Sequence, residues 1–186
     1  MSKAVMQAIR PEWCEKIIRG EKTIDARKTH PDQETPFKVY IYCTIGKKTL
    51  YRSSHDGAIR LYHKAAPTAF AHHQVLNGKV IGEYVCDKLV WVVSHPSIFA
   101  GHTLLFAKPI KYACLTNEEA EHYSGGKDVY GWHISQLKIY DQPKDLVAFC
   151  KPCERQRGSD CRYCKRHSGN KPILRPPQSW CYVEEV

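Results

Sequence analysis

The sequence predicts an α+β fold: a strand-rich barrel, short helices on its flanks, and a small cysteine-rich appendage. Strand-like and helix-like segments alternate along the first 148 residues. The apolar stretch from Lys79 to Ser94 has the length of a bent strand that closes a barrel. Four cysteines in two Cys-x2-Cys pairs fall within 15 residues near the C-terminus. A chain of 186 residues supports one ordinary domain, 1–148, followed by an appendage and tail, 149–186, and 42% hydrophobic residues suffice for a core.

Ala4 to Ile9 reads as the first strand. Pro11 to Arg19 reads as a helix: Pro11 suits a first turn, Trp13, Ile17 and Ile18 recur at near-helical spacing, and Gly20 supplies a stop. Thr23 to Arg27 follows as a strand with a polar face. Lys38 to Thr44 alternates Val39, Ile41 and Cys43 against Tyr40 and Tyr42, the period of a strand. From Thr44 to Asn77 the pattern weakens; Ala58 to Ala71 is expected to hold a short helix broken by Pro67, in a flap beside the binding cleft. His55, His63, His72 and His73 show no ligand-set spacing there and read as surface residues. Thr116 opens a helix to Tyr123 as its N-cap, with Glu119 placed for a capping box and Ser124-Gly125-Gly126 as the break. Trp132 to Tyr140 alternates imperfectly and reads as a final barrel strand with a bulge.

The formal net charge is +9. Between Lys151 and Arg175, eight Lys or Arg residues face only Glu154 and Asp160, a local excess of six. Such a patch suits a polyanion, nucleic acid first among them, or serves as a solvated face that keeps the protein soluble. No apolar run is long enough to span a bilayer, and Lys3 followed by a brief Ala4-Val5-Met6 run makes a poor signal peptide. The expected location is therefore cytoplasmic, with no membrane partner. Nine cysteines in that compartment are expected to be reduced or metal-bound.

Cys150, Cys153, Cys161 and Cys164 are the candidate metal ligands. Each Cys-x2-Cys pair can present two thiolates from a tight turn, and two pairs close a tetrahedral shell around Zn2+ with Zn–S distances of ~2.3 Å. His167 or Cys181 can replace one ligand, and an iron–sulfur cluster takes the same four thiolates. Four sulfurs leave no open position, so the expected role is structural: the ion folds a segment poor in large apolar residues. Cys14, Cys43, Cys86 and Cys114 lie in apolar surroundings and read as core.

The chemically richest segment is Gly20-Glu21-Lys22-Thr23-Ile24-Asp25-Ala26-Arg27. Period-2 geometry puts Thr23, Asp25 and Arg27 on one strand face, with Lys22 at the strand mouth, able to curl over it. A satisfied Asp25–Arg27 network accounts for part of this. Three polar residues on one face plus Lys22 are nonetheless a costly way to build a core, which favours a ligand site. Lys and Arg can hold phosphate, Thr can hydrogen-bond a base or sugar, and a carboxylate can take a proton or read an amino group. Trp13 and Trp132 are the candidate stacking residues, with barrel packing as their alternative role.

This string resembles the ASCH-domain signature G-x-K-x-x-E-x-R of the PUA-like superfamily, with Gly20, Lys22 and Arg27 matching and Asp25 standing where Glu is usual. Pro36 to Cys43, Gly78 to Tyr84, Tyr130 to Ile134 and Pro176 to Glu184 are similar to segments of a bacterial and phage subgroup. The resemblance implies a PUA-like β-barrel, here with a zinc-knuckle-like appendage, and RNA or nucleotide binding in a cleft lined by the signature. It also implies a second class of function. One branch hydrolyses acetylated cytidine with a Lys, a Thr and a distant Glu, and other members cleave RNA. Lys22 matches that Lys, Asp25 stands at the Thr, and Glu119 and Glu121 lie only near the position of the Glu.

Two readings follow. In the first, Lys22, Thr23, Asp25 and Arg27 hold single-stranded RNA or a modified nucleotide. In the second, a hydrolase uses Lys22 as activating group, with Asp25 or Glu83 moving protons.

Overall fold

Alternating polarity and local stop signals divide the chain into short elements, which a computed structural model describes over residues 3–65, 67–95, 103–152 and 172–185. The strands are β1 (Ala4–Ile9), β2 (Ile24–Arg27), β3 (Phe37–Cys43), β4 (Thr49–Arg52), β5 (Ile59–Tyr62), β6 (Gln74–Val75), β7 (Val80–Ser94), β8 (Leu104–Leu105), β9 (Val129–Lys144), β10 (Phe149–Cys150) and β11 (Trp180–Glu185). The helices are α1 (Pro11–Ile18), α2 (Ala107–Tyr112) and α3 (Asn117–Ser124). Two compact units interleave along the chain: unit 1 is Met1–Glu15, Lys38–Glu83 and Lys138–Val186, and unit 2 is Lys16–Phe37 and Tyr84–Leu137.

In unit 1, β1 runs parallel to β3, from Val5 opposite Val39 to Ile9 opposite Cys43, and antiparallel to β11, from Ala4 opposite Val183 to Gln7 opposite Trp180. A strand paired on both sides is buried along most of its length, which suits the apolar run of β1. Beyond β11 lies β10, where Phe149 faces Glu185 and Cys150 faces Glu184. Strands β10 and β11, which follow residue 148, thus share unit 1 with β1 and β3. Met6, Tyr40, Tyr42, Val80, Phe149 and Val183 share one core, in which Tyr40 and Phe149 meet edge-on at 4.8 Å. Gly82 admits no side chain, because a Cβ there would run into the Lys138 carbonyl oxygen.

The segment expected to hold a short helix between Ala58 and Ala71 supplies instead β5, which forms a hairpin with β4, and β6 lies on the far edge of β4. Ile59 and Leu61 alternate with Arg60 and Tyr62, a strand period, and the turn is set by Asp56-Gly57. Gly57 adopts φ 70°, and the Asp56 carboxylate accepts from the Ala58 N–H at 3.1 Å and from Arg60 Nη1 and Nη2 at 2.8 and 2.5 Å. The Ala-rich run beyond contributes only a 3-10 turn, Thr68–His72. His55, His63 and His72 are exposed, and among the described residues no group of three His, Cys, Asp or Glu is arranged to hold a metal ion.

In unit 2, β2 pairs antiparallel with β9, placing Ile24 opposite His133, Asp25 opposite Trp132, Ala26 opposite Gly131 and Arg27 opposite Tyr130. Directly opposed residues share a face, so Asp25, Arg27, Tyr130 and Trp132 lie on one side. On the other, Ile24 and Ala26 join the core of Val92, Val93, Ile110, Ala113, Ala120 and Val129. That core presses directly on β9. A Cβ at Gly131 would stand 2.6 Å from Ile24 Cγ2 and 2.9 Å from Val90 Cγ2, so a larger residue has no room. The capping box of α3 forms as its sequence predicts: Thr116 Oγ1 accepts from the Glu119 N–H at 3.1 Å, the Glu119 carboxylate accepts from the Thr116 N–H at 2.8 Å, and Gly125 at φ 55° ends the helix. Gln136, at φ 49°, marks the irregularity in β9.

Two further expectations are corrected. Among the described residues the strand path runs β10–β11–β1–β3–β7–β9–β2 and stops at both ends, so the sheet is not closed into a barrel. Its end strands have only two and four residues, which leaves little backbone with which to close. Cys14, Cys43 and Cys86 are core as expected, but Cys114 is only half-buried. No helix among the described residues is long and apolar enough to cross a membrane.

Candidate functional site

The site is built where α1 hands the chain to β2. Gly20, at φ 73°, donates its N–H to the Ile17 carbonyl at 3.0 Å, and the N–H groups of Glu21 and Lys22 both reach the Lys16 carbonyl, at 2.9 and 3.1 Å. The chain turns sharply there, as a glycine in the left-handed region permits. It then meets the end of α2, a helix of six residues that the sequence pattern does not announce. That helix closes with the Leu115 N–H on the Ile110 carbonyl at 3.2 Å and the Cys114 N–H on the Lys111 carbonyl at 3.0 Å, with Cys114 at φ 58°. This is a Schellman ending with cysteine where glycine is usual.

The carbonyls left over at this helix end organise the site. Thr23 donates its N–H to the Tyr112 carbonyl at 3.1 Å, and Lys22 Nζ donates to the Ala113 carbonyl at 2.9 Å. A cation at a helix C-terminus lies at the favourable end of the macrodipole. Lys22 Nζ also stands 3.5 Å from Asp25 Oδ1, while Arg27 Nε donates to Asp25 Oδ2 at 2.6 Å. One carboxylate is therefore bracketed by two cations, one at each oxygen. Side-chain exposure is 4% for Lys22, 7% for Asp25 and 11% for Arg27, which makes Arg27 the member best placed to meet a ligand.

Burial is the largest single influence on each of the three groups, and it decides the direction only for Lys22. It pushes the Lys22 ammonium below its ordinary value, and the pull of Asp25 only partly restores it. Burial would raise the Asp25 carboxyl, but the charges of Arg27 and Lys22 outweigh it and hold the group below its usual value. For Arg27 the burial cost is likewise overcome by Asp25, and the guanidinium stays above its ordinary value. Asp25 is thus held ionised between two basic side chains.

The other sequence candidates are distributed differently. Thr23 is half-buried, and its carbonyl accepts the Ile134 N–H at 2.9 Å. Trp132 is fully buried and meets Phe37 edge-on at 5.5 Å; a ring without exposed surface offers no open face to a base. Trp13 is half-buried on α1 in unit 1. Glu83 also belongs to unit 1, where it accepts from Tyr140 Oη at 2.5 Å and from Lys38 Nζ at 3.2 Å. Glu119 is engaged in its capping box. Cys150 is buried in β10, and Cys153, Cys161 and Cys164, with His167, lie outside the described residues.

Several neighbours of the site escaped the sequence pattern. Cys114 Sγ donates to the Glu21 carbonyl at 3.3 Å and lies close enough to Lys22 to act on its charge. Tyr84 and Tyr123 both act on Arg27, and Lys28 Nζ sits 5.3 Å over the Tyr123 ring. The β2–β9 register adds Tyr130. Charge is also unevenly divided. Unit 2 holds nine Lys and Arg against nine Asp and Glu, so the whole formal +9 belongs to unit 1. The cations at Arg27 are a local feature of an otherwise neutral unit.

Among solved structures the chain is similar to the crystal structure of ASCH from Zymomonas mobilis, at 14% identity and a TM-score of 0.53, over 98% of this chain and 88% of that one. The chain has the ASCH-domain fold. Two single-residue variants of the Zymomonas mobilis protein match with the same identity and TM-score, over 98% of this chain and 91% and 89% of theirs. No protein-family model and no curated protein matches the chain. At such low identity the likeness is one of fold, so the ASCH architecture is shared while the chemistry must be argued from Lys22, Asp25, Arg27 and their neighbours.

Proposed function

We propose that this ASCH-fold chain binds single-stranded nucleic acid, RNA in the first place, with a modified nucleotide as the narrower form of the same ligand. The observation that carries the reading is the buried Lys22–Asp25–Arg27 set, two basic side chains around one carboxylate, on a strand face. Asp25 orients the Arg27 guanidinium through Nε, and a guanidinium so held suits a phosphate oxygen. The basic surplus of unit 1 supports attraction of a polyanion. The four cysteines Cys150, Cys153, Cys161 and Cys164 enter the proposal as a closed structural Zn2+ site, supported by their spacing and by the buried position of Cys150.

The test is anisotropy of labelled single-stranded RNA and DNA across a salt series. Arg27→Ala is expected to weaken binding by roughly tenfold or more and to reduce the salt slope by about 1, the signature of one lost phosphate contact. Equal affinity and equal slope in wild type and variant would remove Arg27 from the interface.

A hydrolase is the second reading, and burial favours it by lowering the Lys22 ammonium below its ordinary value, since such a lysine gives up its proton more readily and can then serve as a base. Mass spectrometry of the same mixtures after long incubation separates the two. Shortened or deacylated products that vanish with Lys22→Ala, while the protein stays folded, would establish catalysis; intact ligand throughout leaves the chain a binder.

A further inference from the structure

Unit 2 carries an exposed aromatic group that the buried charged set does not use. Trp91, on β7, is 41% exposed, and its ring lies 4.7 Å from that of Tyr130 at a tilt of 37°. Tyr130 is held in turn by His30, whose exposed ring meets it edge-on at 4.6 Å while His30 Nδ1 lies 2.9 Å from the Pro31 carbonyl oxygen. Across the sheet Tyr130 is directly opposite Arg27. Opposed residues of an antiparallel pair share a face with Cβ atoms ~5 Å apart, so this shelf begins beside the guanidinium. The exposed ring of Tyr123 lies near enough to Arg27 to act on its charge, and Lys28 Nζ sits over that ring.

From this juxtaposition we infer that Trp91, braced by Tyr130 and His30, is a stacking platform for an unpaired base whose adjoining phosphate is met by Arg27 and Lys28. An indole is broad and rigid, so it holds a base face with little loss of conformational freedom. A ring 41% exposed and backed by Tyr130 suits base stacking. The neighbouring cations match the charge of the backbone that joins successive bases. In a duplex both faces of a base are already stacked, so the platform selects single strands. Because stacking does not discriminate strongly among bases, it gives strand-type preference and little sequence preference. The assignment rests on the proposed reading of the chain as a single-stranded nucleic-acid binder.

The experiment compares wild type, Arg27→Ala, Trp91→Leu and Trp91→Phe, all as full chains, with a short labelled oligouridylate and oligoadenylate and with duplex RNA as competitor. Trp91→Leu keeps apolar bulk but removes the π face, and is expected to weaken single-strand binding by about tenfold with an unchanged salt slope. Trp91→Phe is expected to stay within about threefold of wild type. Indole fluorescence, quenched by unlabelled oligonucleotide in wild type, is expected to lose that quenching in Trp91→Phe, a readout that holds even if Trp91→Leu folds poorly. If Arg27→Ala weakens binding while Trp91→Leu does not, or if quenching persists in Trp91→Phe, the platform is refuted and the binding function stands. If wild type binds neither single strand, both are refuted.

Discussion

Replacing Asp25 by alanine is expected to destabilise the protein by about 3–5 kcal/mol, because it leaves two buried cations without the carboxylate they share. The effect is asymmetric. Substituting all three members with apolar residues, Lys22→Met, Asp25→Leu and Arg27→Met together, is expected to leave stability near wild type or above it, since the desolvation cost disappears along with the attraction. Urea unfolding of both variants makes the comparison; a loss below about 1 kcal/mol for Asp25→Ala would mean that the set is well solvated. The same carboxylate predicts an acid limb. Its folded value lies below the ordinary 3.8, so its contribution is fully present above that pH and is lost as pH falls through the folded value. In Asp25→Asn the fall in stability below pH ~4 is expected to be shallower than in wild type. A triple variant that folds well but binds no oligonucleotide would show the charges to be kept for recognition and not for stability.

That distinction explains which parts of the molecule were legible in its sequence. β1, α1, β3 and α3 announce themselves through local codes: a short apolar run in β1, alternation in β3, Pro11 at a first turn, and Thr116 with Glu119 as a reciprocal cap. The β4–β5 hairpin was obscured because an alanine-rich run argues for helix on propensity, while the Asp56-Gly57 turn and the alternation of Ile59 and Leu61 decide the outcome. α2 was invisible because it is a single turn and a half containing Pro109, held by burial of Ile110 in the tertiary core. An open or closed sheet depends on pairing between distant strands, on which local pattern is silent. The site divides along the same line. Asp25 and Arg27 on one face follow from period 2, whereas the carbonyl that holds Lys22 lies 91 residues away, and the shelf beside Arg27 requires the β2–β9 register. The choice of Trp132 as a stacking residue and the omission of Trp91 have one cause: alternation tells which residues share a face but not which of them is covered.

Trp132→Ala is expected to destabilise the fold by about 3–5 kcal/mol, the usual consequence of emptying a fully buried aromatic site. Trp132 is the cross-strand partner of Asp25, and its ring closes against Phe37, so it shields the carboxylate from water and thereby strengthens the pull of Asp25 on Arg27. Its influence on a ligand therefore runs through the orientation of Arg27. Trp132→Phe preserves most of that wall and is expected to cost much less stability, with oligonucleotide affinity close to wild type once the folded fraction is taken into account. Thermal unfolding and anisotropy on the same samples check both halves of this prediction. A tenfold loss of affinity in Trp132→Phe, at an unchanged melting temperature, would mean that the indole itself reaches the ligand, which requires β2 and β9 to part around Asp25 when the ligand binds. The contrast with Trp91 is then direct: one tryptophan on this face acts through its coverage and the other through its exposure, and only the exposed one should respond to a base by changing its fluorescence.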